Sequence, residues 1–153
     1  MLKLTATKGE MPSYATTGAA GFDIATPYDV FIPPQSQALV KTGLFLAKPQ
    51  DKQYKLLLTG PMGDFYVTVI PELQLRARSG LAFKYMVALT NGIGTIDQDY
   101  PSDIGVLLIN HNNASINFKA GDRTAQGVWS LVVRDLGLGQ GESRVSGFGS
   151  TGT

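Results

Sequence analysis

The chain has 153 residues, a formal net charge of +1, no cysteine and one histidine, which fits a single domain able to bury its own core without disulfide staples. Acidic and basic residues are spread along it, with no basic stripe of the kind a general nucleic-acid binder carries, and no apolar run approaches the roughly 18 residues of a membrane helix. Thiolate chemistry and Cys-ligated zinc are excluded, and a cysteine-free chain with an N-terminus too polar for a secretory signal is expected to be soluble and cytoplasmic.

Gly (18) and Pro (8) punctuate short segments rich in Val, Ile, Leu, Thr and Tyr. No window carries a long helical periodicity, so an all-β fold is expected. In chain order, Leu2 to Thr7 alternates as a first strand and Gly9 to Gly18 is a polar loop. Ala19 to Thr26 is a small-residue stretch holding Phe22 and Asp23, and Pro27 ends it. Val30 to Ile32 is a short strand, Pro33-Pro34 a turn, and Gln37 to Leu46 another strand with Gly43 as a bulge. Tyr54–Thr59 and Phe65–Ile70 flank Gly60-Pro61-Met62-Gly63-Asp64, which predicts a β-hairpin whose second arm runs on past Pro71 to Arg76. Leu81 to Lys84 is predicted as one short helix capped by Ser79.

Thr90 to Asn110 reads as strand, tight turn, strand, with Asp97, Asp99 and Tyr100 in its middle and an apolar second strand from Ile104 to Ile109. Carboxylates beside a buried strand are costly unless something pairs with them or uses them. Ser115 to Phe118 and Ala125 to Val133 complete the strands, joined by a turn at Ala120-Gly121-Asp122. From Leu136 the sequence turns Gly-rich and polar, which predicts a flexible arm over 136–153 following a domain over 1–135.

Four segments carry candidate chemistry, and each also has a plain reading. Asp97 in a turn can deprotonate a water or bind a metal, since an aspartate in water is ionised at pH 7, but aspartate is also common in turns. Arg78-Ser79-Gly80 at a helix start has the makings of a phosphate cradle, with an N-terminal dipole, a hydroxyl and a bidentate guanidinium; an ordinary Ser cap beside a solvated Arg would look the same. Gly121-Asp122-Arg123-Thr124-Ala125-Gln126 could present Gln126 to a site, or be a turn with a charge pair. Gly147-Phe148-Gly149-Ser150-Thr151-Gly152 sets one aromatic among small residues, as a lid over a flat ligand would, or as a disordered tail would. His111, among Asn110, Asn112 and Asn113, offers no metal cluster and is read as a loop residue.

Together with Ala20-Gly21-Phe22-Asp23-Ile24, these segments resemble in order and spacing the five signature motifs of the trimeric dUTPases (deoxyuridine triphosphate nucleotidohydrolases). The other four are Arg78-Ser79-Gly80-Leu81-Ala82, Gly94-Thr95-Ile96-Asp97-Gln98-Asp99-Tyr100, Gly121–Gln126 and Gly147–Gly152. The resemblance spans nearly the whole chain. It implies a jelly-roll-like β-barrel with one short helix and a C-terminal arm that completes an active site. It also implies a homotrimer whose sites are each built from all three subunits. The implied reaction is water attack at the α-phosphorus of dUTP, giving dUMP and pyrophosphate with Mg2+ on the triphosphate. That reaction keeps uracil out of DNA and supplies dUMP for thymidylate synthesis.

By the same resemblance, Asp97 is the general base, and Tyr100 packs on deoxyribose. Asn91 and the backbone at Gly94 and Ile96 read uracil, and Phe148 closes over it. Arg78, Ser79, Gly80, Gln126, Arg144, Gly149, Ser150 and Thr151 hold phosphate. Asp23 lies near metal-bound waters.

The chain departs from the family pattern at Tyr100-Pro101-Ser102, where Tyr-Arg-Gly or a similar triplet is usual. Arg144 precedes Phe148 by four residues where five is usual. The segment 48–68 is longer than usual, so its hairpin reads as an insertion. With Met62, Phe65 and Tyr66 it either grips a protein partner or packs as a longer loop on its own barrel. Within the same fold a dCTP deaminase is the nearest alternative. It requires a carboxylate to activate water, and the glutamates (Glu10, Glu72, Glu142) are all remote in sequence from Thr90–Asn110. A regulatory protein acting through the insertion is a further alternative. A purely structural jelly roll has no use for an acid, a phosphate cradle and a stacking arm together.

Overall fold

A computed structural model describes residues 3–47 and 53–134. Its elements are β1 (Leu4–Ala6), β2 (Phe22–Ala25), β3 (Val30–Ile32), β4 (Ser36–Lys41), β5 (Leu44–Leu46), β6 (Tyr54–Gly60), β7 (Gly63–Arg76), α1 (Ser79–Tyr85), β8 (Val87–Leu89), β9 (Gly94–Ile96), β10 (Gly105–Asn110), β11 (Ile116–Phe118) and β12 (Arg123–Val133). The expected all-β class with one short helix is what forms. The largest sheet runs β2-β12-β7-β6, with β9 also paired to β7. A second sheet runs β4-β10-β8, and β1–β5 and β3–β11 are two-stranded. Every strand pair is antiparallel.

Alternation builds the core. On β7, Val69, Leu73 and Leu75 are buried while Gln74 and Arg76 turn to the opposite face. Leu73 and Leu75 join Ile24 of β2, Ile32 of β3, Val40 of β4 and Val106 and Leu108 of β10 in one cluster, all at or below 2% exposure. Each such aliphatic side chain contributes about 1.5–3 kcal/mol by leaving water.

β7 organises the molecule. Its 14 residues pair with β12 over Val69–Arg76 on one side, and with β6 (Gly63–Val69) and then β9 (Leu73–Leu75) on the other. Pro71 sits in the gap between β6 and β9. Arg134 N–H donates to the Thr68 carbonyl at 3.2 Å, so even-numbered residues of β7 aim their backbone groups at β12 and odd-numbered ones aim away. The missing N–H of Pro71 therefore faces a position where no described strand needs it, and the strand continues through the proline.

Three expectations are corrected. Gln37–Leu46 is two strands in different sheets, not one strand with a bulge. Gly43 stands between them with φ +72°, and a Cβ there would lie 2.9 Å from Lys8 Cβ, so the corner admits only glycine. The helix starts at Ser79 with Arg78 as its N-cap; Arg78 is extended (φ −89°, ψ 125°) and no side chain caps it, so Ser79 is the first helical residue rather than the cap. Met86 in a left-handed conformation (φ 55°) ends the helix.

Lastly, the two strands of Thr90–Asn110 do not pair with each other. β9 joins β7, whereas β10 lies between β4 and β8. Residues 97–104 bridge the two sheets, pinned where Ile104 N–H donates to the Leu44 carbonyl (2.8 Å) and Gly43 N–H to Asp103 Oδ1 (3.0 Å).

The expected β6–β7 hairpin forms, turning at Pro61-Met62. Among the described residues no helix is long and apolar enough to cross a membrane. The arm expected over 136–153, with Arg144, Phe148, Gly149, Ser150 and Thr151, lies outside the described residues.

Candidate functional site

Asp23 is the centre of one cluster. It projects from β2 opposite Gln126 of β12, which is in turn opposite Arg76 of β7. Its Oδ1 accepts from Arg78 Nε at 2.9 Å and its Oδ2 from Arg123 Nη1 at 3.0 Å. Arg78 Nη1 also donates to the Arg123 carbonyl at 3.0 Å, while Nη2 takes part in neither bond. Two guanidiniums share the Asp23 carboxylate near the start of α1, and Asp122 lines the same cleft as both arginines.

Gln126 Nε2 donates to the Ala77 carbonyl at 3.0 Å and so fixes the turn from β7 into α1. Its Oε1 would lie 3.0 Å from a Cβ on residue 21, so Gly21 leaves the room this amide occupies. Ser79 and Gly80 are exposed beside it. A cleft of ≈ 450 Å³ opens on the far side of the two arginines, lined by Arg78, Arg123 and Asp122 together with Leu81, Tyr85 and Phe118. That volume is in the range of ligand sites.

Asp97 lies elsewhere. It follows β9 directly, is exposed, and begins a turn closed by Tyr100 N–H donating to the Asp97 carbonyl at 3.0 Å. Because it is exposed, the burial cost anticipated for this carboxylate does not arise. Asn91 is exposed, and its amide nitrogen reaches to 3.4 Å from the Cβ position of Gly94 at the start of β9. Ile96 and Tyr100 are buried in the core, so Asn91 is the surface side chain among the described base- and sugar-contacting candidates.

The fold thus joins Asp23, Arg78, Gln126 and the helix start, and sets Asp97 and Asn91 apart from them. Gly94 pairs with Leu75 and Ile96 with Leu73. Asp97 therefore leaves the β7–β9 ladder at the Glu72 end, while Arg78 lies past the Arg76 end, a span on the order of 20 Å.

Two residues carry more than the sequence indicated. Arg123, read as half of a surface charge pair, is the second clamp on Asp23. Its signal was available: a motif arginine facing a motif aspartate needed only the strand pairing. Glu72, remote in sequence from Thr90–Asn110, lies beside Asp97's end of β9 in space. It is 8% exposed, accepts from Gln74 Nε2 at 2.6 Å, and Gln74 accepts from Arg76 Nε at 3.1 Å, so a polar ladder runs along β7 between the two ends.

Among the described residues no three His, Asp or Glu side chains gather as metal ligands. Both oxygens of Asp23 are taken by arginines, so Asp23 fits an outer, water-bridged position and not direct ligation. A Mg2+ carried on phosphate oxygens and waters suits such a site.

The dUTPase family model matches residues 7–62 and 70–152, leaving 63–69 on the rising arm of the hairpin unmatched. A deoxyuridine 5'-triphosphate nucleotidohydrolase of Wolinella succinogenes is 41% identical over 147 residues, covering 93% of this chain and 86% of that protein. The Staphylococcus bacteriophage 80alpha dUTPase with dUPNHPP superposes with a TM-score of 0.68 at 21% identity, covering 100% of this chain and 99% of that one. A mutant dUTPase from phage phi11 of S. aureus, described for its coordination of a structural Mg(II) ion, superposes with a TM-score of 0.69 at 19% identity, covering 93% and 97%.

Proposed function

Because this chain belongs to the dUTPase family, we propose that it hydrolyses dUTP to dUMP and pyrophosphate, with Asp97 as base and the Asp23–Arg78–Arg123 cluster as phosphate cradle. The observation that carries the site assignment is the convergence on Asp23. Residues 55 and 100 positions away along the chain arrive on its two oxygens, and three of the motif segments thereby become one surface that presents two arginines.

In the reaction, a water hydrogen-bonded to Asp97 attacks the α-phosphorus. The new O–P bond forms as the bond to the β-bridging oxygen breaks. The water's proton passes to Asp97, and pyrophosphate leaves with the bridging electron pair. Arg78 and the N–H groups of Ser79 and Gly80 hold the β- and γ-phosphates, and Gln126 keeps the helix start aimed at them. Mg2+ bound to the triphosphate would neutralise charge as the leaving group departs. Asn91 would read uracil, with Tyr100 beneath the deoxyribose; the backbone groups of Gly94 and Ile96, expected to share that task, are instead paired with Leu75 and Leu73 of β7.

The span of roughly 20 Å between Asp97 and Arg78 supports a site assembled between copies, as a homotrimer allows, with one copy supplying Asp97 and Asn91 and another the cradle. The C-terminal arm, with Arg144 at the γ-phosphate and Phe148 over the base, completes it, and Gly149, Ser150 and Thr151 add phosphate contacts. A cysteine-free chain suits the reducing cytoplasm.

Pyrophosphate release measured over the full set of nucleoside triphosphates, with and without Mg2+, tests this reading. Turnover is expected for dUTP, strongly favoured over dTTP, dCTP and UTP, and lost with chelator. Comparable turnover of dTTP or UTP, or conversion of dCTP to dUTP, would overturn it.

A further inference from the structure

The outer edge of β6 is unpaired among the described residues, yet its face is apolar. Leu56, Leu57 and Leu58 are 44%, 46% and 37% exposed, and Phe65 and Tyr66 on the adjoining arm are 53% and 67% exposed. A bare apolar edge is a template for strand pairing.

The ladder determines which backbone groups are available. Odd-numbered residues of β7 aim at β6, so their partners Tyr54, Leu56, Leu58 and Gly60 aim back at β7. Lys55, Leu57 and Thr59 are left with N–H and C=O directed outward. We infer that a second copy of this chain pairs there, β6 against β6, antiparallel about a twofold axis through Leu57. In that register Leu57 faces Leu57 of the second copy and Lys55 faces Thr59, so every outward group meets another outward group and the interface is isologous.

The side chains agree with the same register. On one face the row Val67–Leu56 continues into Leu58–Phe65 of the second copy, apolar throughout. On the other, Tyr66–Leu57 meets Leu57–Tyr66. Lys55 lies beside Thr59 of the second copy, with Asp64 directly behind that threonine because Thr59 pairs with Asp64. Two strand spacings, about 10 Å between Cα atoms, bring the lysine ammonium within reach of that carboxylate. The charge complementarity occurs twice by symmetry. A shift by two residues that set Lys55 against Lys55 would oppose like charges and is disfavoured. A lone edge lysine ordinarily discourages pairing; here the twofold supplies its counter-charge, which is why a second copy, rather than an unrelated strand, is the occupant.

The test is the mass of the full chain by analytical ultracentrifugation across a concentration series. Leu57→Pro removes an outward N–H and the leucine side chain but none of the backbone hydrogen bonds from β6 to β7, so the hairpin stays folded, which cooperative thermal unfolding would verify. The wild type is expected to reach at least twice the mass of the Leu57→Pro species, since each copy in a homotrimer carries its own β6 edge. Lys55→Glu, which sets two carboxylates together, is expected to lose the doubling, and Lys55→Glu with Asp64→Lys to regain it. Equal masses for wild type and Leu57→Pro at every concentration, retention of the doubled mass in Leu57→Pro, or no recovery in the charge swap would each overturn the proposal.

Discussion

Asp23 sits level with Arg76 of the central strand β7 and Asp97 just beyond the level of Leu73, in contrasting settings. Asp23 is three-quarters covered and has an arginine on each oxygen. Asp97 is exposed on a turn, away from both arginines. The first arrangement suits a group that positions others: the carboxylate holds two guanidiniums in fixed orientation before any ligand arrives, so less ordering remains for binding to supply. The second suits a group that must exchange a proton with water. In the proposed shared site, the contrast also separates the end that one copy would supply from the end that another would.

The largest effect expected is from Asp97→Asn. Hydrolysis should fall by roughly 10²–10⁴-fold while affinity for a non-hydrolysable dUTP analogue stays close to wild type. Single-turnover kinetics and calorimetry would check the two halves, and near-normal turnover would remove Asp97 as base. Next is a mixing experiment. Asp97→Asn and Arg78→Ala are each expected to be inactive alone, yet co-assembled they should regain roughly a quarter of the sites if each site takes its base and its cradle from different copies. No recovery would mean that both groups come from one chain.

Arg123→Ala should raise KM for dUTP by about 10–100-fold, the cost of loosening a charged hydrogen bond, with kcat changed much less and partial rescue by Arg123→Lys. An equal fall in kcat would place Arg123 on the reacting phosphate and blur the division between the two ends.

The smallest effect belongs to the solvent-exposed Asp29–Lys119 pair (2.7 Å), which makes no contact with Asp23, Arg78 or Asp97. The lysine hydrogen bond, aided by the Ala120 N–H, lowers the Asp29 pKa below 3.8, and Asp29 raises that of Lys119 above 10.5. Its small stabilisation is therefore full between those ordinary values. It is lost as pH falls through the depressed aspartate pKa or rises through the elevated lysine pKa. Asp29→Asn should flatten thermal stability slightly at both extremes and leave dUTP turnover unchanged at pH 7.

Much of this was legible from residue order. Alternation located Val30–Ile32 and Ala125–Val133, and Gly60–Asp64 located the hairpin turn, because local chemistry decides such features. Pairing partners were not legible, because they are decided across the core. Asp97 and Ile104 looked like parts of one hairpin because they are close in sequence, yet β9 finds its partner in β7 and β10 in β4 and β8. Arg123 was passed over for the same reason: its importance depends on facing Asp23, 100 positions away. Gly43 was seen as an irregularity, but its φ and the approach of Lys8 make it a corner between sheets.

The uninterrupted run of β7 through Pro71 has a practical consequence. Since β7 is held by β12 from Val69 onwards, the β6–β7 hairpin can change length at its tip with the β7–β12 pairing unchanged. Adding or removing two residues from each arm preserves which side chains face which way, whereas a single residue in each arm turns the tip over. The Pro61-Met62 turn is therefore a suitable place to graft a peptide epitope or a spectroscopic label, in two-residue increments, far along the strand from Asp23 and its arginines.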